Sequence, residues 1–246
     1  MNIAKPVRIL SLSNILLREQ LREPISLLWT LISPCALFYL ITFNNSPNNW
    51  GNESYIESTA GFYAYISCSV AFFGVAFYII GRRESGFIRS FIYTSEAKII
   101  FLASHLLCYL ITAITYCITF YIITKPSFGP YNTTELGSTV CKFLTCFIIF
   151  CSPALYLANR RLKFQSANTV ISILIFAMIL LALLTTKTQS KALDAINSIN
   201  VFSISKNIMT DSTFPWLTLI ISSLALITMF VLTSTNLKVN PVWSRY

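Results

Sequence analysis

The sequence predicts an all-α polytopic membrane protein with six transmembrane helices. Of its 246 residues, 55% are hydrophobic and only 11% are charged, whereas about 25% of residues are charged in a typical soluble domain. The mean hydropathy is +0.66. The apolar residues occur in long uninterrupted runs, and about 20 such residues cross a hydrocarbon core as a helix. Because no water satisfies backbone groups inside a bilayer, each run is expected to be helical.

The first segment, residues 1–24, is predicted to form an amphipathic helix that lies in the membrane interface. Val7, Leu10, Leu17 and Leu21 fall on one side of such a helix, and charged residues occupy other positions. A simple positively charged anchor is the alternative interpretation. The segment has no compact apolar core followed by small residues, so it does not resemble a secretory signal.

Six apolar runs follow and together form one transmembrane domain, residues 25–246. They are Ile25–Phe43, Gly61–Ile80, Ile99–Thr124, Leu136–Leu157, Ser166–Thr186 and Pro215–Thr235. An N-terminus in the cytoplasm places 13 of the 18 lysines and arginines on the cytoplasmic side. The positive-inside rule therefore predicts that both termini are cytoplasmic. The same asymmetry explains the formal net charge of +9, because anionic lipid headgroups are the expected partners of the positive side. The charge therefore does not indicate binding of nucleic acid.

The connector between the second and third predicted spans, Gly81–Lys98, carries six charged residues; we call it the coupling segment. Within it, Phe87, Ile88, Phe91 and Ile92 recur at the three- and four-residue spacing of one helical face. A helix with an apolar stripe and flanking charges is expected to dock on a protein partner at the cytoplasmic surface. A helix that rests on lipid is the alternative.

Catalytic and metal sites are not predicted. The seven cysteines fall within the predicted spans and include no C-x-x-C pair, although zinc sites usually draw on such pairs. His105, the sole histidine, is expected to pack inside the third span. Glu135 and Lys142 lie two helical turns apart, and an interfacial ion pair or a snorkelling lysine is expected there. No phosphate-binding G-x-x-x-x-G-K-[ST] occurs, so we expect no cofactor on this chain.

Without predicted catalytic residues, transport is the expected function. Its energy source is expected to lie outside the membrane. The centres of the six predicted spans contain no Asp, Glu, Lys or Arg. Ion-coupled carriers normally keep ionisable residues near the middle of the bilayer. An ion-coupled carrier, and a polytopic membrane enzyme or assembly factor, remain as alternative functions.

Two motifs resemble those of permease subunits of ABC transporters of the type 2 exporter family (ABC-2 type). The N-terminal motif of that family, L-R-E-x-x-R-x-P, is matched by Leu17, Arg18, Glu19, Arg22 and Pro24. The family's coupling motif, E-R-E-x-G-T-L-x-R-L, is similar to Arg82–Arg83–Glu84–Ser85–Gly86–Phe87–Ile88–Arg89. The Thr-Pro turn that follows it in the family is Thr94–Ser95 here.

The resemblance implies a permease that works as a dimer, with a second copy of itself or a related permease, in the bacterial cytoplasmic (inner) membrane. Two separate ABC-type ATPase subunits would bind ATP and Mg and dock on the coupling helix, residues 81–98. The docking residues would be Arg83, Glu84, Gly86, Phe87, Ile88, Arg89 and Phe91.

The resemblance also implies export of an amphipathic or lipid-linked cargo, such as a drug, peptide, glycolipid or polysaccharide. The outer region, residues 187–214, would form short helices that dip back into the outer leaflet. Aromatic residues that would line the conduit, or alternatively form an interfacial belt, are Tyr39, Tyr63, Tyr65, Phe72, Phe73 and Phe77.

Overall fold

The computed structural model describes residues 5–23, 28–44, 54–92, 94–188 and 191–237, and all the regular elements within these ranges are helices. In chain order they are α1 (Lys5–Gln20), a π-helical turn (Leu28–Ile32) that leads into α2 (Ser33–Asn44), α3 (Tyr55–Ser69), a π-helical segment (Val70–Phe77), α4 (Tyr78–Glu84), α5 (Phe87–Phe91), α6 (Ser95–Thr124), a 3-10 turn (Lys125–Ser127), α7 (Thr133–Asn159), α8 (Phe164–Lys187), α9 (Lys191–Asn197), α10 (Val201–Thr210) and α11 (Trp216–Asn236).

Within the ranges that the structure describes, five helical stretches are long and apolar enough to cross a membrane, which makes this a multi-pass helical membrane protein. They are Tyr55–Glu84, Ser95–Ser127, Thr133–Asn159, Phe164–Thr185 and Trp216–Asn236, and they coincide with the second to sixth predicted spans. At the first predicted span, the apolar stretch Leu28–Ile41 is shorter. Six spans and the orientation therefore stay predictions, and Pro24 lies outside the described residues.

The second span (α3, the π-helical segment and α4) begins six residues before the predicted boundary at Gly61. Ser54 caps it, because its Oγ accepts a hydrogen bond from the Glu57 amide at 3.3 Å. The Glu57 carboxylate in turn accepts from the Ser54 amide at 3.1 Å. This reciprocal capping box satisfies two amides that the helix itself leaves without partners. Because the first turns contain polar residues, hydropathy alone placed the start of this span too late.

The second span lies at the centre of the bundle. Of the 18 most apolar consecutive residues of this span, 72% are buried, whereas the corresponding shares for α8 and α11 are 22% and 11%. α7 packs against the second span, α6 and α11, while α1 lies along α6. The peripheral helices α8 and α11 therefore turn apolar faces outward, as expected for helices in contact with lipid.

At the end of the bundle opposite the coupling segment, the predicted ion pair between Glu135 and Lys142 is wrong. Glu135 instead accepts from Lys125 Nζ at 2.5 Å, because the tight connection after α6 brings Lys125 beside the start of α7. Lys142 donates to the backbone carbonyls of Met209 and Asp211. These carbonyls lie at the C-terminal end of α10, where a helix has no internal donors left for them.

Two short helices, α9 and α10, lie in the outer region 187–214. Asn200 caps the start of α10, because its Oδ1 accepts a hydrogen bond from the Phe202 amide at 3.1 Å. Its Nδ2 donates to the Met178 carbonyl of α8 at 2.8 Å. α10 also packs against α3, so this region is held on both sides by spans.

Candidate functional site

The coupling segment is not the continuous helix that the sequence predicts. α4 ends at Glu84, a turn at Ser85 and Gly86 follows, and α5 covers only Phe87–Phe91. Gly86 has φ +76°, a left-handed conformation that other residues rarely adopt. Its amide donates to the Arg83 carbonyl at 3.0 Å and so closes the end of α4. The expected helix 81–98 is wrong in extent because this glycine ends one helix before the next begins.

Arg83 is the most tightly held side chain of the coupling segment. Its side chain is 1% exposed and its Nε lies 3.1 Å from the Glu84 carboxylate. The two terminal nitrogens donate to three backbone carbonyls at the end of α7 and in the connection between α7 and α8. They are Ala158 at 3.3 Å, Arg160 at 2.8 Å and Leu162 at 2.6 Å. The planar guanidinium has enough donors to serve all of these acceptors at once.

This contact, which we call the Arg83 clamp, ties the coupling segment to the connection between α7 and α8. Sequence reasoning placed Arg83 at a partner surface, whereas the structure places it inside this chain. Glu84 pairs with Arg83 within the coupling segment. The loop carbonyls lie more than 70 residues away in sequence, so no local pattern indicates them.

The remaining predicted docking residues divide between the interior and the surface. Ile88 is fully buried against the chain's own helices, and Gly86 is half-buried. Phe87 and Arg89 are exposed. The backbone of Phe91 is described but its side chain is not. α5 therefore exposes an aromatic side chain, a basic side chain and Ser90, while Ile88 fixes it in the bundle.

The N-terminal motif meets the coupling segment through an ion pair. Glu19 accepts from Arg82, and Arg82 also donates to the Tyr78 hydroxyl at 2.5 Å. The Arg82 guanidinium lies over the Phe87 ring, with Cζ 4.3 Å from its centroid, a favourable cation–π arrangement. The sequence indicated the Glu19 motif but gave no sign of its partner. The two arginines of the motif, Arg18 and Arg22, are exposed.

A cavity of about 1080 Å³ lies beside these contacts, between the end of α1, the second span and α8; we call it the junction cavity. Charged residues stand at its α1 side, and Asn168 and Ser172 of α8 add polar groups. Its walls are mainly aromatic and include Tyr65, Phe73, Phe77, Tyr78, Tyr109 and Phe164. Large, mostly apolar cavities with a few polar groups are typical ligand sites.

Three of the six aromatic residues singled out in the sequence line this cavity: Tyr65, Phe73 and Phe77. The other three serve the fold. Tyr63 and Phe72 are buried in the core, and the Tyr39 hydroxyl donates to the Ile123 carbonyl at 2.5 Å. Since aromatic residues are common at both cores and interfaces, composition alone does not separate the two groups.

The second span faces the junction cavity along its π-helical segment. Such segments are rare and often occur at functional sites. Here the widened turn brings Gly74 so close to Tyr109 that a Cβ at position 74 would lie 2.4 Å from the ring. His105 packs beside it, with Nε2 3.3 Å from the Val75 carbonyl and its ring stacked on Tyr78. His105 is fully buried, as the packing interpretation predicts.

Comparison with known proteins gives one informative match. No family model matches the chain, and no solved structure matches it. Protein McbE from Escherichia coli is 30% identical over 237 residues, covering 96% of this chain and 98% of that protein. The chain belongs to the McbE family. Because the likeness extends along nearly the whole of both chains, it covers the helix bundle as a unit.

Within the described residues, no group of three or more His, Cys, Asp or Glu is placed to hold a metal ion.

Proposed function

We propose that this McbE-family protein is the permease subunit of an ATP-driven ABC exporter in the bacterial cytoplasmic membrane. The observation that carries the proposal is the construction of the coupling segment. α5 presents Phe87 and Arg89 outward, while Arg83 and Ile88 fix its rear in the bundle. An exposed aromatic residue beside an arginine is the kind of anchor that dominates protein interfaces.

The Arg83 clamp supplies a route by which a docked ATPase subunit would move the membrane helices. A displacement of α5 acts on α4 directly and on the α7–α8 connection through the three carbonyls that Arg83 binds. Packed helices joined in this way move as rigid bodies rather than bending. Nucleotide-driven closure of the ATPase subunits would therefore reposition several spans together.

The junction cavity supports an amphipathic or lipid-linked cargo. Its aromatic walls suit an apolar group, whereas Arg22, Glu23 and the Glu19–Arg82 pair stand where a polar group would lie. By the positive-inside rule, this end of the bundle faces the cytoplasm. Cargo would then enter from the cytoplasmic side and leave at the opposite face, through a conduit between two copies of the chain.

A co-purification experiment tests the proposal. The tagged chain is expressed with a candidate ABC-type ATPase, and the bound ATPase is compared between wild type and the Phe87→Asp/Arg89→Asp variant. We expect a stable wild-type complex that the variant loses, because the exposed aromatic and basic side chains of α5 are changed while the clamp is retained. Tyr131→Asp is the control for the Phe87→Asp change. It also replaces an exposed aromatic residue by an acid, but at the opposite end of the bundle.

Three results would contradict the proposal. The first is a complex that never forms, and the second is a complex that survives the double substitution unchanged. The third is transport that continues without any ATPase and stops when the ion gradient is removed. That last result would favour an ion-coupled carrier.

A further inference from the structure

We propose that a second cavity, at the same end of the bundle as the coupling segment, binds the phosphate group of an anionic phospholipid. This basic cavity has a volume of about 590 Å³ and lies where α7 and α11 end. Its volume is within the range of roughly 300–1,000 Å³ common for ligand sites. The inference does not depend on the exporter proposal. The cavity is lined by Tyr156, Asn159, Arg160, Arg161, Leu232 and Asn236.

The charge of the cavity calls for an anion. Arg160 and Arg161 are adjacent and exposed, and neither forms an ion pair with an acidic residue in the part of the chain that the structure describes. The Arg160 guanidinium lies over the Tyr156 ring, with Cζ 4.3 Å from the centroid. This contact holds one planar group in place. Phosphate oxygens accept paired hydrogen bonds from such a group.

The polar groups around the arginines select a headgroup that also carries a hydroxyl. Asn159 Oδ1 is buried and has no hydrogen-bond partner among the described residues. A buried acceptor without a donor is unfavourable. A phosphodiester has no proton to give, whereas a glycerol hydroxyl attached to it does. A phosphoglycerol headgroup would therefore satisfy both the arginines and Asn159, with Asn236 on the other side of the cavity.

The apolar side of the cavity favours a lipid over free phosphate. Leu232 is 44% exposed at the cavity, and further along the outward face of α11 Val231 and Leu224 are 54% and 59% exposed. This face continues from the basic cavity toward the middle of the span. An acyl chain attached to the phosphate would lie along it, as lipids do at basic pockets between transmembrane helices.

The basic cavity shares its backbone with the Arg83 clamp. The carbonyl of Arg160 accepts from Arg83 at 2.8 Å, while the Arg160 side chain lines the basic cavity. A bound phosphate would restrain the same short loop that the coupling segment holds from the other side. Anionic lipid is therefore expected to stabilise the connection between the coupling segment and α7.

Native mass spectrometry of the purified full chain in neutral detergent tests the proposal. Phosphatidylglycerol, phosphatidylcholine and inorganic phosphate are added separately. We expect one phosphatidylglycerol retained per chain, little phosphatidylcholine, and no displacement of the lipid by millimolar inorganic phosphate. In Arg160→Gln/Arg161→Gln, phosphatidylglycerol should bind at least about tenfold more weakly, because the charge-assisted contacts are lost.

Two further variants make the test specific. Arg160→Lys/Arg161→Lys keeps the charge but not the planar donors, so an intermediate affinity is expected. Arg8→Gln/Lys98→Gln removes the same charge from the same end of the bundle, outside the basic cavity, and should retain lipid as the wild type does. Elution as a single species in gel filtration shows that each variant is folded.

Several outcomes would overturn the proposal. One is equal retention of phosphatidylglycerol by wild type and Arg160→Gln/Arg161→Gln, and another is equal loss in the control variant. Displacement of the lipid by inorganic phosphate would assign the cavity to free phosphate instead.

Discussion

Replacement of Arg83 by methionine is predicted to be among the most damaging single changes in this chain. The substitution keeps a long side chain but removes the four hydrogen bonds that Arg83 donates, to the Glu84 carboxylate and to the carbonyls of Ala158, Arg160 and Leu162. Hydrogen bonds to a charged group each contribute about 1.5–3 kcal/mol. Since the loop lies near the surface, water would replace some of them.

We therefore expect Arg83→Met to lower the free energy of unfolding by about 3–5 kcal/mol, the usual effect of removing one partner of a buried charged network. At about 2–4 °C per kcal/mol for a chain of this size, Tm should fall by roughly 6–20 °C. Thermal unfolding of the detergent-purified chain, followed by gel filtration after heating, measures this shift. Arg83→Lys should recover part of the loss, because an ammonium donates to carbonyls but does not span them.

Arg89→Met is the matched control, since it removes an exposed arginine six residues away in the same segment. Its effect should stay within about 0.5 kcal/mol, as for most surface substitutions. If Arg83→Met is no more destabilised than Arg89→Met, the clamp does not hold the two loops together. The rigid-body route from α5 to α7 would then be wrong as well.

Three further substitutions follow from local geometry and are checked by the same thermal assay. Gly74→Ala should cost about 1–3 kcal/mol through overpacking against Tyr109, and an unchanged Tm would mean that the π-helical segment adjusts freely. Gly86→Ala should cost about 1–2 kcal/mol, because alanine is strained at φ +76°; no loss would show that the turn before α5 can relax. Lys142→Met should cost about 1–3 kcal/mol by leaving the Asp211 carbonyl without a donor, with faster hydrogen exchange in α10. Unchanged exchange there would contradict that capping role.

The sequence was sufficient to locate the long apolar helices. The predicted runs Ile99–Thr124 and Leu136–Leu157 lie within α6 and α7, because length and hydropathy decide such helices with little help from tertiary contacts. The start of the second span was missed, although Ser54 followed three residues later by Glu57 is a recognisable capping signature. That boundary was available in the sequence.

The side-chain contacts within the site could not be predicted from the sequence. Arg82 and Arg83 are adjacent and chemically identical, yet one pairs with Glu19 and the other binds carbonyls of a distant loop. Which of them turns inward depends on where the α7–α8 connection lies, and that is fixed by the packing of α7 on the second span. The same argument applies to Lys142, whose acceptors at the end of α10 lie 67 and 69 residues further along the chain.

The position of α1 has a consequence for experiments on the protein. Two contacts hold α1 against the spans. Glu19 forms an ion pair with Arg82, and the Gln20 side chain accepts a hydrogen bond from the Tyr109 hydroxyl at 2.7 Å. Both residues also line the junction cavity. A shortened N-terminus, or a bulky tag that displaces α1, would remove one wall of the cavity. Defects in such proteins would then reflect an opened cavity, even where membrane insertion is normal.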